Sequence, residues 1–560
     1  MKGKKFTLIL VAAAMLTAAV PVYEYSGAVN DFVAVAEGTA SIIASGECGA
    51  EGDNVTYTLD SNGVLTISGE GKMSSNKVDM GYTAIRVPWS SYKKDIKKVI
   101  IEEGVTSIGY YSFYDCKSLT EISIPDSVTI IEEYVFSGCS SLIEMRIPDG
   151  VTNIENSTFS GCKSMTEIVI PDSVTSIGSS AFSNCGALTE IIIPNSVTSI
   201  GNSAFSGCGA LTEVVISDNI TNIKNNTFYG CVSLSEIIIP NSVETIGNDA
   251  FHFCKGLTSL TIPDNVTNIG KWSFCCCEGL KSISISSNIE NIEDYAFQNC
   301  NSLTEITIPD GVKSIGMGVF QSCDLLAKVT IPDSVTRIRS DAFYECESLN
   351  EIKLPNSLKS IESEVFYRCK SLSKIDIPDG VTSIGDGAFE YCDSLTEVTI
   401  PDGVTSIGAS AFICCSLLTD VKIPDGVTSI GAYTFYSCDS LTEITIPDSV
   451  TSIGNMAFEY CDSLTEVTIP SSVTTIGESA FECCYELKEI IILGDVTNIG
   501  KEAFSNCDSL TEITLSSGVK SIGEGAFNSC NDLSSITIYN PNCEIFFSED
   551  TIPEKSIIRG

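Results

Sequence analysis

Twenty-five cysteines and a single histidine are the residues of this chain best suited to chemistry. Thiols in such number suggest disulfides in an exported protein. Clustered with histidine they suggest a metal centre, and one thiol beside a histidine suggests a nucleophile. Spacing discriminates among these. Nineteen of the cysteines lie 23 residues apart, from Cys116, Cys139 and Cys162 through Cys300 and Cys392 to Cys507 and Cys530, with no insertion. Each has two equivalent neighbours and no private partner, so they are read as a packing column of buried free thiols rather than as disulfides. Cys275-Cys276-Cys277 comes nearest to a metal cluster, but a consecutive run cannot turn three side chains inward. Cys414 and Cys483 are off the ladder and too far apart in the repeat to meet, and Cys48 and Cys543 lie near opposite ends. His252, beside Phe253, is expected on the surface, and its nearest ladder thiol, Cys254, belongs to the packing column. No catalytic residue, metal site or cofactor is therefore expected. Phosphate loops and dinucleotide fingerprints are absent. A net charge of −40 without basic patches argues against nucleic acid.

A period of 23 residues is the mark of a solenoid, in which one coil cannot bury its apolar face alone and stacked coils can. The other columns are as regular. A phenylalanine precedes every ladder cysteine by three residues, as at Phe113, Phe136 and Phe412. Leucine follows by three, with Met165 the exception. A clean copy runs Cys392-Asp-Ser-Leu395-Thr-Glu397-Val-Thr-Ile400-Pro401-Asp-Gly-Val404-Thr-Ser-Ile407-Gly408 and ends in Ala411-Phe412. Alternating Ile, Val and Thr after the leucine predict a short, half-buried strand. One strand per coil makes a parallel ladder, about 90 Å long over nineteen coils. Proline ends the strand in fourteen of nineteen repeats and lacks the N–H that the ladder needs, so it marks the ladder margin. Val404, Ile407 and Phe412 are the next inward points.

The pattern Leu-Thr-Glu-Ile-x-Ile-Pro-x-x-Val-Thr-x-Ile-Gly-x-x-Ala-Phe-x-x-Cys is similar to that of BspA-like leucine-rich repeat proteins. The segment from Ser45 through Leu65-Thr66-Ile67 to Pro88-Trp89 also resembles the N-terminal segment of that family. The resemblance implies a leucine-rich-repeat solenoid, secreted or held at a cell surface. Some members bind host extracellular proteins or other cells, and no shared catalytic residues carry over. Members often continue past the last repeat with a Tyr/Ala-rich segment, so residues 539–560 are expected to form a short C-terminal cap.

Lys2, Lys4 and Lys5 precede an apolar run from Phe6 to Val20, the layout of a secretory signal. Residues 1–36 are assigned to it, with cleavage near 19 or near 36. Residues 37–104 carry no copy of the repeat and are read as a β-rich N-terminal cap, with a hairpin about Asn62-Gly63. The solenoid takes 105–538. No second apolar run follows, so no membrane span is expected in the mature chain, and the chain is expected to be a monomer.

Two outward columns remain on the strand. Five residues after the ladder cysteine, fourteen of nineteen positions are acidic, among them Glu167, Glu190, Glu213 and Glu236. These carboxylates either serve solubility under salt screening or bind cations or a basic partner, and a calcium site would need oxygens beyond one column. Two residues further on, the usual Thr or Ser gives way in four successive coils to Val169, Ile192, Val215 and Ile238. That stripe is either a contact site or added strand propensity. The chain is thus expected to be a secreted or cell-surface, non-enzymatic binding scaffold, adhesin-like, whose strand face meets an extracellular protein or glycan. The alternative is a structural or spacer protein of the cell envelope without a specific ligand.

Overall fold

A computed structural model describes residues 40–74, 87–494, 496–546 and 557–559. The segment assigned to a secretory signal lies outside them. The chain divides into Met1–Ser41 and Ile42–Gly560, and every coil belongs to the second unit.

The fold is a parallel β-solenoid of about 19 turns of about 23 residues, with almost no helix among the described residues. The coil from Leu188 to Cys208 shows why the repeat closes. Its first strand, Glu190–Ile192, turns Glu190 and Ile192 to solvent and Ile191 inward. The next coils continue the ladder in register, Glu190 opposite Glu213 and Glu213 opposite Glu236. Pro194 falls just past the strand, and its carbonyl accepts the Val197 N–H at 3.0 Å, which turns the chain. A second strand, Ser199–Ile200, pairs with Ser176–Ile177 one coil earlier. Leu188, Ile191, Val197, Ile200, Phe205 and Cys208 all point into the core.

The third side carries no strand. Its backbone crosses between coils directly, as in Phe182 N–H to Ala204 O at 2.8 Å and Asn184 N–H to Ser206 O at 2.6 Å. To aim these groups the chain enters left-handed backbone twice per coil, at Ser203 (φ 56°) and Gly207 (φ 75°) in this coil and at Ser180 (φ 54°) and Asn184 (φ 60°) in the one before. Gly, and after it Asn and Asp, tolerate that conformation best.

The ladder cysteines line this side. The Cys208 N–H donates to Phe205 O at 3.2 Å, and its thiol donates to Phe182 O in the preceding coil, also at 3.2 Å. The same thiol-to-carbonyl bond recurs from Cys139 to Cys530. Beside it the phenylalanines stack face to face, with centroids from 5.1 Å (Phe458–Phe481) to 5.9 Å (Phe297–Phe320) apart.

The ends adapt the same geometry. Gly52–Asp60 and Val64–Gly69 form an antiparallel hairpin with Leu59 opposite Leu65. Its second strand then pairs in parallel with Lys98–Ile101, which pairs with Glu121–Ser123 of the first coil. Trp89 covers the end of the aromatic stack, its ring 6.0 Å from Phe113 and its indole N–H donating to Ser112 O at 2.8 Å. At the other end Ile557–Arg559 adds in parallel to Ser535–Ile538.

Candidate functional site

Two surfaces hold the side chains that depart from the repeat. On the strand face, Val169, Ile192, Val215 and Ile238 are 76, 66, 47 and 82 % exposed, although aliphatic. Ile192 and Val215 are direct partners across the ladder. The acidic column runs alongside, with Glu190, Glu213 and Glu236 in register and exposed. Past Ile238 the acidic column turns neutral at Ser259 and Ser282. There an open depression of about 660 Å³ is lined by Ile238, Leu260, Thr261 and Ser284 among others. The same outward column exposes Ile491, at 43 %, which the four-coil pattern did not single out.

The second surface is the strandless side, in the column two residues before each ladder cysteine. Successive coils place His252, Cys275, Gln298 and Gln321 there. Gln298 Nε2 donates to Gln321 Oε1 at 2.9 Å, and the Cys275 thiol donates to Gln298 Oε1 at 3.4 Å. Further along, Tyr344 and Tyr367 stack at 4.5 Å, and the Arg368 guanidinium lies 5.4 Å and 5.3 Å from the Tyr367 and Tyr391 rings. His252 is half-buried rather than on the open surface, with Nδ1 2.8 Å from Asp249 Oδ1. Of the three consecutive cysteines, Cys277 joins the ladder by donating to Phe251 O at 3.3 Å. Cys275 and Cys276 turn elsewhere, with sulfurs 3.5 Å apart. A hydrogen bond from Cys275 holds the Cys276 thiol well below its usual range. His252 and Asn299 add to this against the opposing effect of burial. His252 and the run Cys275-Cys276-Cys277 are each read from the sequence as carrying no site, yet the fold brings His252, Cys275 and Cys276 together. Adding 23 to 252 gives 275, which stacks the histidine against the extra thiol.

A model of BspA-type leucine-rich repeat regions matches residues 90–212, 198–326, 313–442 and 428–549, most of the chain. The chain belongs to the BspA-type leucine-rich repeat family. A leucine-rich repeat protein from Bacteroides ovatus is similar at 28 % identity over 73 % of this chain and 92 % of its own, with a TM-score of 0.48. A leucine-rich cell surface protein from Faecalibacterium prausnitzii is similar at 25 % identity, over 79 % and 93 %, with a TM-score of 0.30. The pneumococcal vaccine antigen PcpA matches at 18 % identity, over 74 % and 93 %, with a TM-score of 0.34. No curated protein matches the chain. Leucine-rich-repeat solenoids of this family are generally non-enzymatic scaffolds. Among the described residues no helix is long and apolar enough to cross a membrane.

In this BspA-type solenoid the strandless side also stores a titratable group. Glu459 is buried, and its Oε2 has no hydrogen-bond partner. Burial, with the charges of Glu482 and Glu502, pushes its carboxyl up from 4.5 to about 7. A raised folded-state value means that the native state holds the proton more tightly than the unfolded chain. The stability tied to this proton is therefore complete below about pH 4.5 and is lost as the pH rises to about 7. Glu459→Gln should raise the melting temperature at pH 8 by about 1–2 °C and leave it unchanged at pH 4. Differential scanning calorimetry at the two pH values checks this, and equal shifts at both would mean that Glu459 is solvated.

Proposed function

We propose that this chain is a non-enzymatic binding scaffold displayed at the cell surface, and that its strand face takes an extracellular protein. The observation that carries this is the exposure of Val169, Ile192, Val215 and Ile238 in four successive coils of a column that elsewhere is mostly Thr, Ser or charged. Aliphatic side chains held in water gain free energy when a partner covers them. The stripe spans roughly 14 Å at about 4.8 Å per strand, which suits one extended segment or one aromatic-bearing loop. Glu167, Glu190, Glu213 and Glu236 flank it, so the complementary ligand presents apolar groups ringed by Lys or Arg. That chemistry favours a protein over a glycan. The basic and apolar start of the chain, Lys2 to Val20, supports export.

The test is capture. The purified chain, immobilised, is challenged with extracellular matrix proteins, mucins and glycans, and the captured partner is then titrated against Ile192→Thr/Val215→Thr. Threonine is the prevailing residue of that column, so circular dichroism should show an intact fold. Affinity should fall tenfold or more, at about 1–2 kcal/mol per contact. Unchanged affinity in the double variant would move the site off the stripe. Capture of nothing would leave the chain a spacer.

A further inference from the structure

The strandless side brings together three side chains that the repeat does not require. His252, Cys275 and Cys276 each direct a ligand atom to one point, and these atoms all lie within 4.8 Å of one another. We propose that His252, Cys275 and Cys276 form a binding site for one borderline-soft divalent cation of the zinc type.

The geometry supports this from both sides of the metal. Zinc binds thiolate sulfur at about 2.3 Å and imidazole nitrogen at about 2.0–2.1 Å, tetrahedrally, which places two ligating sulfurs about 3.8 Å apart. The two sulfurs here are 3.5 Å apart. Consecutive cysteines ordinarily point apart. These lie with their sulfurs together, and Cys276 occupies the left-handed position of its coil (φ 58°). The His252 Nδ1 is engaged by Asp249 Oδ1 at 2.8 Å, which leaves Nε2 for a metal. A carboxylate behind a ligating imidazole fixes the ring and raises its basicity. Asn299 Nδ2 donates to Cys276 Sγ at 3.6 Å and would steady the thiolate in the same way. Three protein ligands leave a fourth position, and the half-buried Cys276 and His252 open it toward solvent. A site of that form binds an exchangeable water or a ligand atom from a partner.

The test uses the full chain, reduced and desalted, titrated with Zn²⁺ against a chromogenic chelator, with Co²⁺ as a spectroscopic probe. Each variant installs a residue that other coils already carry in that column. Cys276→Ser matches Ser322 and Ser437, which hold the same left-handed backbone. His252→Gln matches Gln298 and Gln321, and Asp249→Asn matches left-handed Asn226. The fold is therefore expected to survive all three, and circular dichroism verifies it. The wild type should bind one equivalent, and its Co²⁺ form should show thiolate-to-metal charge transfer. Cys276→Ser and His252→Gln should each weaken binding at least 100-fold, and Cys276→Ser should weaken that band per bound Co²⁺. Asp249→Asn should weaken it by about 10–100-fold. Cys414→Ser is the matched control, because Cys414 fills the Cys276 column in another coil with Glu390 in place of the histidine, and it should change nothing. Three results would overturn the proposal: no stoichiometric binding by the reduced chain, binding that survives both ligand variants, or a Cys275–Cys276 disulfide in protein isolated without reductant.

Discussion

Cys300→Asp destabilises the solenoid by roughly 3–5 kcal/mol at pH 7.5, the cost of an uncompensated buried charge. Cys300 is fully buried, and its thiol donates to Phe274 O at 3.3 Å. That carbonyl already accepts the Cys277 N–H, also at 3.3 Å. Burial, first of all, holds the Cys300 thiol well above its ordinary range, so it remains a neutral donor. An aspartate at this point sets a carboxylate against a carbonyl oxygen with no cation in reach, and it must lose its solvation to do so. Its folded-state value is then raised, so the deficit grows as the pH climbs above the ordinary carboxylate range and shrinks at pH 4, where the acid can donate like the thiol. Cys300→Ser keeps a donor of similar size and should cost about 1 kcal/mol. Urea denaturation of the three proteins at pH 4 and 7.5 measures this. A Cys300→Asp chain within about 1 kcal/mol of wild type at pH 7.5 would mean that the thiol column is wet.

The same column shows why the fold was legible in the sequence. A strict count admits only one kind of object, and within each period Leu, Ile, Val, Phe and Cys fall where a closed coil needs inward side chains. The strand-face stripe was legible for a related reason. Alternation settles which residues point out, so aliphatic departures from Thr stand out once the strand is placed, as Ile192 and Val215 do.

The His252 cluster was not legible, because two facts behind it are three-dimensional. The strandless side has no alternation, so nothing local in the sequence shows that the position two before the ladder cysteine is half-buried. Cys275 and Cys276 lie with their sulfurs together, and Cys276 has a left-handed backbone, a conformation that a cysteine does not advertise as a glycine would. Glu459 was hidden in the same way. Its column holds Tyr, Ser, Gln and Glu in different coils, and only the packing shows which of them is left without a partner.

Phe320→Ala is expected to divide the molecule thermally. Phe320 is fully buried, with its ring between Phe297 at 5.9 Å and Phe343 at 5.5 Å. Deleting it removes one ring from a continuous stack and should cost about 3–5 kcal/mol, since the backbone of the coil is tied above and below and cannot collapse into the gap. Those ties include the Phe320 N–H donated to Ala342 O at 2.9 Å. In a solenoid each coil contacts only its neighbours, so stability is a sum of coil and interface terms. A weak interface in the middle therefore lets the two halves melt apart, and calorimetry should show two transitions or a markedly broadened one. The same truncation at Phe527 touches a ring near the end of the stack, with Phe504 at 5.5 Å its one stacked neighbour among the described residues. It should fray the last coils and leave the main transition in place. Equal shifts for Phe320→Ala and Phe527→Ala, each with one sharp transition, would mean that the coils unfold as a single cooperative unit. The nearest-neighbour account of the stack would then fail.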